Sequence, residues 1–163
     1  MATPHPWRKP LPVSGRGRRA SLDDPAVWAF LERRRVAHLA TASAAGEPHV
    51  VPFCFALIDR TIYSALDQKP KQAGPRELRR VRNLLDNPRM AMVADVYDEN
   101  WAKLGYVLVH GRGRLVEPNT AEHGQALHRL RHKYPQYQAM ALEDRPVIAL
   151  DPHAVTAWGD LTA

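Results

Sequence analysis

A chain of 163 residues, 45% of them hydrophobic, is expected to form one globular domain large enough to bury a real core. No apolar run approaches the roughly 18 residues that a membrane helix needs, and the start lacks the apolar region of a secretory signal, so a cytoplasmic protein is expected. The single cysteine, Cys54, excludes an intramolecular disulfide, and the net charge of +6 is concentrated in the first 20 residues, which argues against a specific nucleic-acid surface.

Those first 20 residues hold Arg8, Lys9, Arg16, Arg18 and Arg19 without an acid, among four prolines and two glycines. Such a composition buries too little apolar surface to offset its ordering entropy, which predicts a disordered basic tail over residues 1–20 and a folded domain over 21–163. Any nucleic-acid contact through the tail would be non-specific and salt-sensitive.

Asp24-Pro25 is a helix start, with aspartate placed to cap and proline at the first helical position, and Val27, Phe30 and Leu31 give that helix an apolar stripe. Residues 36–41 read as a short strand in which His38 shares a face with Val36 and Ala40, as a hydrogen-bonded core histidine. A turn at 43–47 leads into residues 49–58, apolar on both faces and therefore expected to be buried on both sides. Pro52 points to an edge or a bulge. Asp59-Arg60 then turns the chain into a second strand at 61–66, which completes a hairpin. Cys54, inside the first strand, reads as a small inert hydrophobe. Beyond Leu66 comes Asp67-Gln68-Lys69-Pro70-Lys71, where two ammonium groups held apart by a proline could dock a phosphate or could simply be solvated.

Residues 75–85 read as a helix with Leu78, Val81, Leu84 and Leu85 on one face, stopped by Asn87-Pro88. Arg76, Arg79, Arg80 and Arg82 lie off that face, either solvated or sharing an anion with the lysines. Two strands follow at 90–97 and 106–116, the second with Gly111 and Gly113 on one face, a pattern that marks a bulge, a barrel bend or a close approach. The acidic loop between them exposes Tyr97 and Trp101 to a planar ligand or a subunit contact. A helix at 122–133 buries Ala126, Leu127 and Leu130, and its His128 and His132 lack a third ligand, so no metal site is expected. Strands at 146–150 and 154–158 close the chain. There is no phosphate-binding loop with its lysine, no set of paired zinc ligands and no nucleophile elbow.

About six mostly antiparallel strands with inserted helices describe a mainly β fold with α, a split β-barrel with helical covers. The stretches PHVVPFCFAL, IYSALDQKPK, RRVRNLLDNPRMAMVADVYDENWAKLGYVLVHGRGR, KYPQY and VTAWGD carry a resemblance to the pyridoxamine 5′-phosphate oxidase-like split barrels that bind flavin, nearest to the subgroup called F420-dependent. That resemblance implies a homodimer with two cofactor sites at the subunit interface. It implies a cofactor phosphate at Tyr63, Ser64, Lys69 and Lys71, and of the helix arginines that could share that anion Arg79 is the one expected at the site. The ring would lie against backbone groups of Val50, Val51, Pro52 and Phe53. Trp101 and Trp158 would cover the ring or fill the dimer contact.

The sequence departs from the oxidase itself in two places. His49 and Cys54 stand where the enzyme flanks its strand motif with arginine and lysine, which weakens side-chain grip on the cofactor. The closing stretch also lacks the arginine and histidine that hold the vitamin B6 substrate, so oxidation of that vitamin is rejected. The expectation is an oxidoreductase that uses F420 or FMN for hydride transfer to a small organic acceptor, with Tyr97 the one weak candidate for proton donor. The four arginines of the second helix, suited to an oligoglutamate tail, tilt the choice toward F420. The alternative is a non-catalytic flavin or tetrapyrrole carrier on the same fold.

Overall fold

The computed structural model describes residues 17–67 and 74–163. The chain runs through β1 (Arg18–Ala20), α1 (Pro25–Arg33), β2 (Ala37–Ala42), β3 (Pro48–Phe53), β4 (Ala56–Ile58) and β5 (Thr61–Ala65). It continues through α2 (Arg79–Asp86), β6 (Arg89–Val96), β7 (Gly105–Val116), α3 (Ala121–Lys133) and β8 (Val147–Gly159). All pairings are antiparallel, in the order β3-β2-β6-β7-β8-β5-β4, with β1 added along β8.

The two ends of that path, β3 and β4, are consecutive in sequence and separated only by Cys54 and Phe55. Two residues span at most roughly 7 Å, so the sheet has to curl until its open edges nearly meet. This is the split barrel expected from the sequence, with eight strands among the described residues instead of about six. The long strands β7 and β8 carry the curvature, and a register shift at His110/Gly111 bends them. Any side chain at Gly113 would collide with Met90 and Leu84, and one at Gly111 with the Asp151 carbonyl, so both glycines mark a close approach inside the bend.

α1 begins as its sequence dictates: the Asp24 carboxylate accepts from the Ala26 amide at 2.9 Å, and Pro25 occupies the first turn. Its Val27, Phe30 and Leu31 are fully buried and fill the barrel with Leu39, Phe55, Leu57, Ile62 and Met92. α3 covers the outer face of β4, β5 and β8, packing Ala126, Leu127 and Leu130 on Ala56, Tyr63, Ala65 and Val147.

Several local expectations change. Arg18–Ala20 pairs with β8, so ordered structure begins inside the stretch assigned to the basic tail, while residues 1–16 lie outside the described residues. The strand expected at 49–58 is two strands, and β3 is not buried on both sides: it pairs with β2 alone, and Val50 is 59% exposed. Nothing among the described residues covers its outer face, as an edge strand containing Pro52 allows. His38 faces solvent, because Ala37, Leu39 and Thr41 take the core side of β2. Leu85 is exposed, and the buried place on α2 goes to Asn83, whose amide donates to Thr41 Oγ1 at 3.0 Å. No helix among the described residues is long and apolar enough to cross a membrane.

Candidate functional site

The end of β3, the end of β5 and the first turn of α2 converge on one cleft. Pro52 and Phe53 come from β3, Cys54 from the break after it, Ser64 and Ala65 from β5, and Arg80 from α2, with Val36, Asp67 and Tyr137 completing a space of about 250 Å³. Strand alternation decides the β5 contribution. Ser64 points into the cleft, whereas its neighbour Tyr63 points to α3 and donates to the Glu122 carboxylate at 2.8 Å. Helix geometry decides the α2 contribution in the same way. Arg79 leans outward onto Glu47 at 2.8 Å and Arg76 onto Glu117 at 2.7 Å, while Arg80 is half-buried in the cleft and makes no ion pair among the described residues. Desolvation lowers the Arg80 pKa, partly opposed by the Asp67 carboxylate. A guanidinium in that position is short of an anionic partner, which is the condition under which it binds one.

The break between β3 and β4 is closed by Tyr134. Its hydroxyl accepts the Phe55 amide at 3.0 Å and lies 2.8 Å from the carbonyl oxygens of both Phe55 and Arg35. Burial raises the Tyr134 phenol to about 12 and pushes Tyr137 further up, so both remain protonated donors. Tyr137 shares the cleft wall with Cys54, and the Tyr134 and Tyr137 rings are 5.6 Å apart. Cys54 is thus half-buried in a cleft wall rather than sealed in a strand. A second chamber of about 460 Å³ opens past this wall.

The cofactor residues expected from the sequence distribute unevenly. Pro52, Phe53 and Ser64 meet at the cleft, and Val50 and Val51 lie further along the same edge strand. Lys69 and Lys71 fall in residues 68–73, outside the described residues, although Asp67 before them lines the cleft. Tyr63 and Arg79 turn away from it. Trp158 stacks on Tyr106 at 5.5 Å, ten residues along β8 from Ile148, the partner of Ser64, which is roughly 30 Å at strand spacing. Trp101 and Tyr97 also lie beyond that end of β6, and the Tyr97 hydroxyl donates to Glu99 at 3.3 Å. Sequence reasoning grouped Arg80 with three other arginines as possible anion partners but chose Arg79, and it passed over Asp67 and Tyr137 as cleft residues. The available signal was the KYPQY stretch, where two tyrosines three apart precede and follow a helix-stopping proline. Among the described residues no cluster of metal-ligating side chains occurs.

The cleft therefore offers an anion site of Ser64 and Arg80 beside an exposed strand edge. That arrangement suits holding a phosphorylated planar molecule rather than performing acid–base chemistry through side chains of its own. Solved structures share the fold. A heme storage protein of Vibrio cholerae, HutZ, aligns with a TM-score of 0.65 at 17% identity, over 86% of this chain and 98% of that one. A conserved hypothetical protein of Mycobacterium tuberculosis gives 0.66 at 21%, over 89% and 90%. An FAD-binding protein of Mesorhizobium loti gives 0.61 at 22%, over 86% and 95%. None of the curated proteins matches the chain in sequence. The family model of pyridoxamine 5′-phosphate oxidase matches residues 23–159. With that match over most of its length and the fold in agreement, the chain belongs to the pyridoxamine 5′-phosphate oxidase family.

Proposed function

We propose that the protein is an oxidoreductase that holds a flavin or deazaflavin, FMN or F420 in the first instance, and passes hydride between it and a small organic acceptor. The observation that carries this reading is Arg80, half-buried with Ser64 in the cleft lining and without an ion pair among the described residues, alongside Asp67, two residues before Lys69 in sequence. The cofactor would supply the hydride chemistry. Ser64 and Arg80, with the two lysines, would hold its phosphate, and Pro52 and Phe53 would present backbone groups to its ring. The protein would work as a homodimer, since the edge strand β3 leaves Val50 uncovered and the far end of the barrel exposes Tyr97 and Trp101.

The likeness to a heme storage protein supports a second reading, a non-catalytic tetrapyrrole or flavin carrier. Purification from a host that makes both flavins and F420, followed by the visible spectrum and cofactor mass, tests the first reading. A bound flavin or deazaflavin that, once reduced chemically with borohydride, is reoxidised by quinones, biliverdin or nitro compounds is expected. Bound heme, or a cofactor that turns nothing over, would transfer the assignment to the carrier.

A further inference from the structure

The cleft does not end at its anion site. Past Cys54 and Tyr137 it continues into the chamber of about 460 Å³, with Val36, Cys54, Asp67 and Tyr137 lining both spaces. At about 250 Å³ the first space is smaller than the roughly 300–1,000 Å³ typical of sites for ligands of cofactor size, and the second brings the whole into that range. We propose that this second chamber receives the adenosine half of a flavin dinucleotide, so that the cleft is built for FAD. The proposal rests on the flavoprotein reading above and names which flavin the site takes.

The walls distinguish FAD from the other two cofactors. FMN would leave the chamber to water, although Tyr134, Tyr137, Pro135 and Met140 give it a largely apolar and aromatic lining. Such a surface gains by covering a planar base. The oligoglutamate tail of F420 needs several cations, and among the described residues the chamber lining has one, Arg35, whose guanidinium already donates to the Lys133 carbonyl. Arg76, in the turn before α2, and Arg79, at its start, would have extended the cationic track but pair with Glu117 and Glu47. Asp67, at the junction, repels a polyanion and accepts hydrogen bonds from ribose hydroxyls. Only the dinucleotide puts its phosphates at Arg80 and an uncharged, planar group beyond them.

The test titrates the full chain, freed of cofactor, with FMN, FAD and F420 by fluorescence. FAD is expected to bind at least about tenfold tighter than FMN. Met140→Trp fills the chamber without touching the anion site, and should reduce that advantage to less than about threefold while the FMN constant changes less than about twofold. Gln136→Trp, at an exposed position of the same rim, repeats the experiment should the first variant unfold by its thermal midpoint. FAD no tighter than FMN in the unmodified chain, or an advantage that survives the chamber-filling substitution, overturns the proposal and leaves a flavoprotein that takes FMN. Binding of none of the three cofactors removes the flavoprotein reading and this one with it.

Discussion

Lys133 is 8% exposed at the end of α3, with its ammonium 4.2 Å above the Phe55 ring and 3.4 Å from the Leu31 carbonyl oxygen. Burial lowers its pKa to about 8, against 10.5 for a free lysine, and the Glu32 carboxylate only partly opposes this. Between those values the unfolded chain binds more protons than the folded one, so folding gains stability as pH rises from about 8 to 10.5. Lys133→Met removes that gain. Urea melts should show wild-type stability improving relative to the variant between pH 7.5 and pH 10, about two steps bracketing the titration; parallel curves would show that the lysine keeps its proton at a normal affinity. A second residue-scale prediction separates two neighbours on α2. Arg80→Gln should weaken flavin binding by about tenfold or more, because it removes a charge-assisted contact. Arg79→Gln, which loses only an exposed pair with Glu47, should change binding less than about twofold. Equal effects of the two substitutions would place the anion elsewhere.

At the scale of elements, one hydrogen bond sets the stance of α2 on the sheet. Asn83 is 5% exposed, Thr41 is 4% exposed, and no other polar pair joins their buried faces among the described residues. Asn83→Ala leaves the Thr41 hydroxyl buried without that partner and should cost about 1–3 kcal/mol. Thr41→Val combined with Asn83→Leu removes both polar groups and should recover much of the loss in a double-mutant cycle by chemical denaturation. Additive losses would mean that the bond carries no coupling. α3 is tied differently, by Arg114, which reaches Glu122 at 2.7 Å and Asp151 at 2.8 Å on the solvent side of β7 and β8. The contrast explains what could be read in advance. The caps and stops of α1, α2 and α3 follow from Asp24-Pro25, Asn87-Pro88 and Tyr134-Pro135, since these are local rules. The buried Asn83, the exposed Leu85 and the solvent-facing His38 are not legible that way, because the choice of face was made by partners distant in sequence.

For the whole molecule, a mainly antiparallel barrel was accessible from the alternation of apolar residues and the turns between them, and the family from the resemblance carried by the strand and loop motifs. The site was accessible only in part. Pro52 and Phe53 stand in one contiguous motif and Ser64 and Asp67 in another, whereas Arg80 and Tyr137 reach the cleft from two further segments, and no single stretch announces their meeting. Lys69 and Lys71 fall within residues 68–73, outside the described residues. Exposed Val36, Val50, Leu85, Tyr97 and Trp101 lie on a barrel whose edge strand β3 is open. A stable self-association that covers part of them is expected, with a dimer mass by light scattering at micromolar concentration. Val50→Lys should shift that mass toward the monomer, and a chain that is monomeric from the outset would remove the shared-site model.

The single hydroxyl of Tyr134 that closes the gap between β3 and β4 has a consequence in time. The Phe55 amide belongs to no strand ladder and donates to that oxygen alone, from a residue 79 positions later. It can exchange with deuterium only when the end of α3 lifts away from the barrel, so its protection factor measures how often the cleft wall comes apart. Tyr134→Phe should let this one amide exchange far faster than its neighbours in β2, turning the closure of the barrel into a quantity read from a single proton.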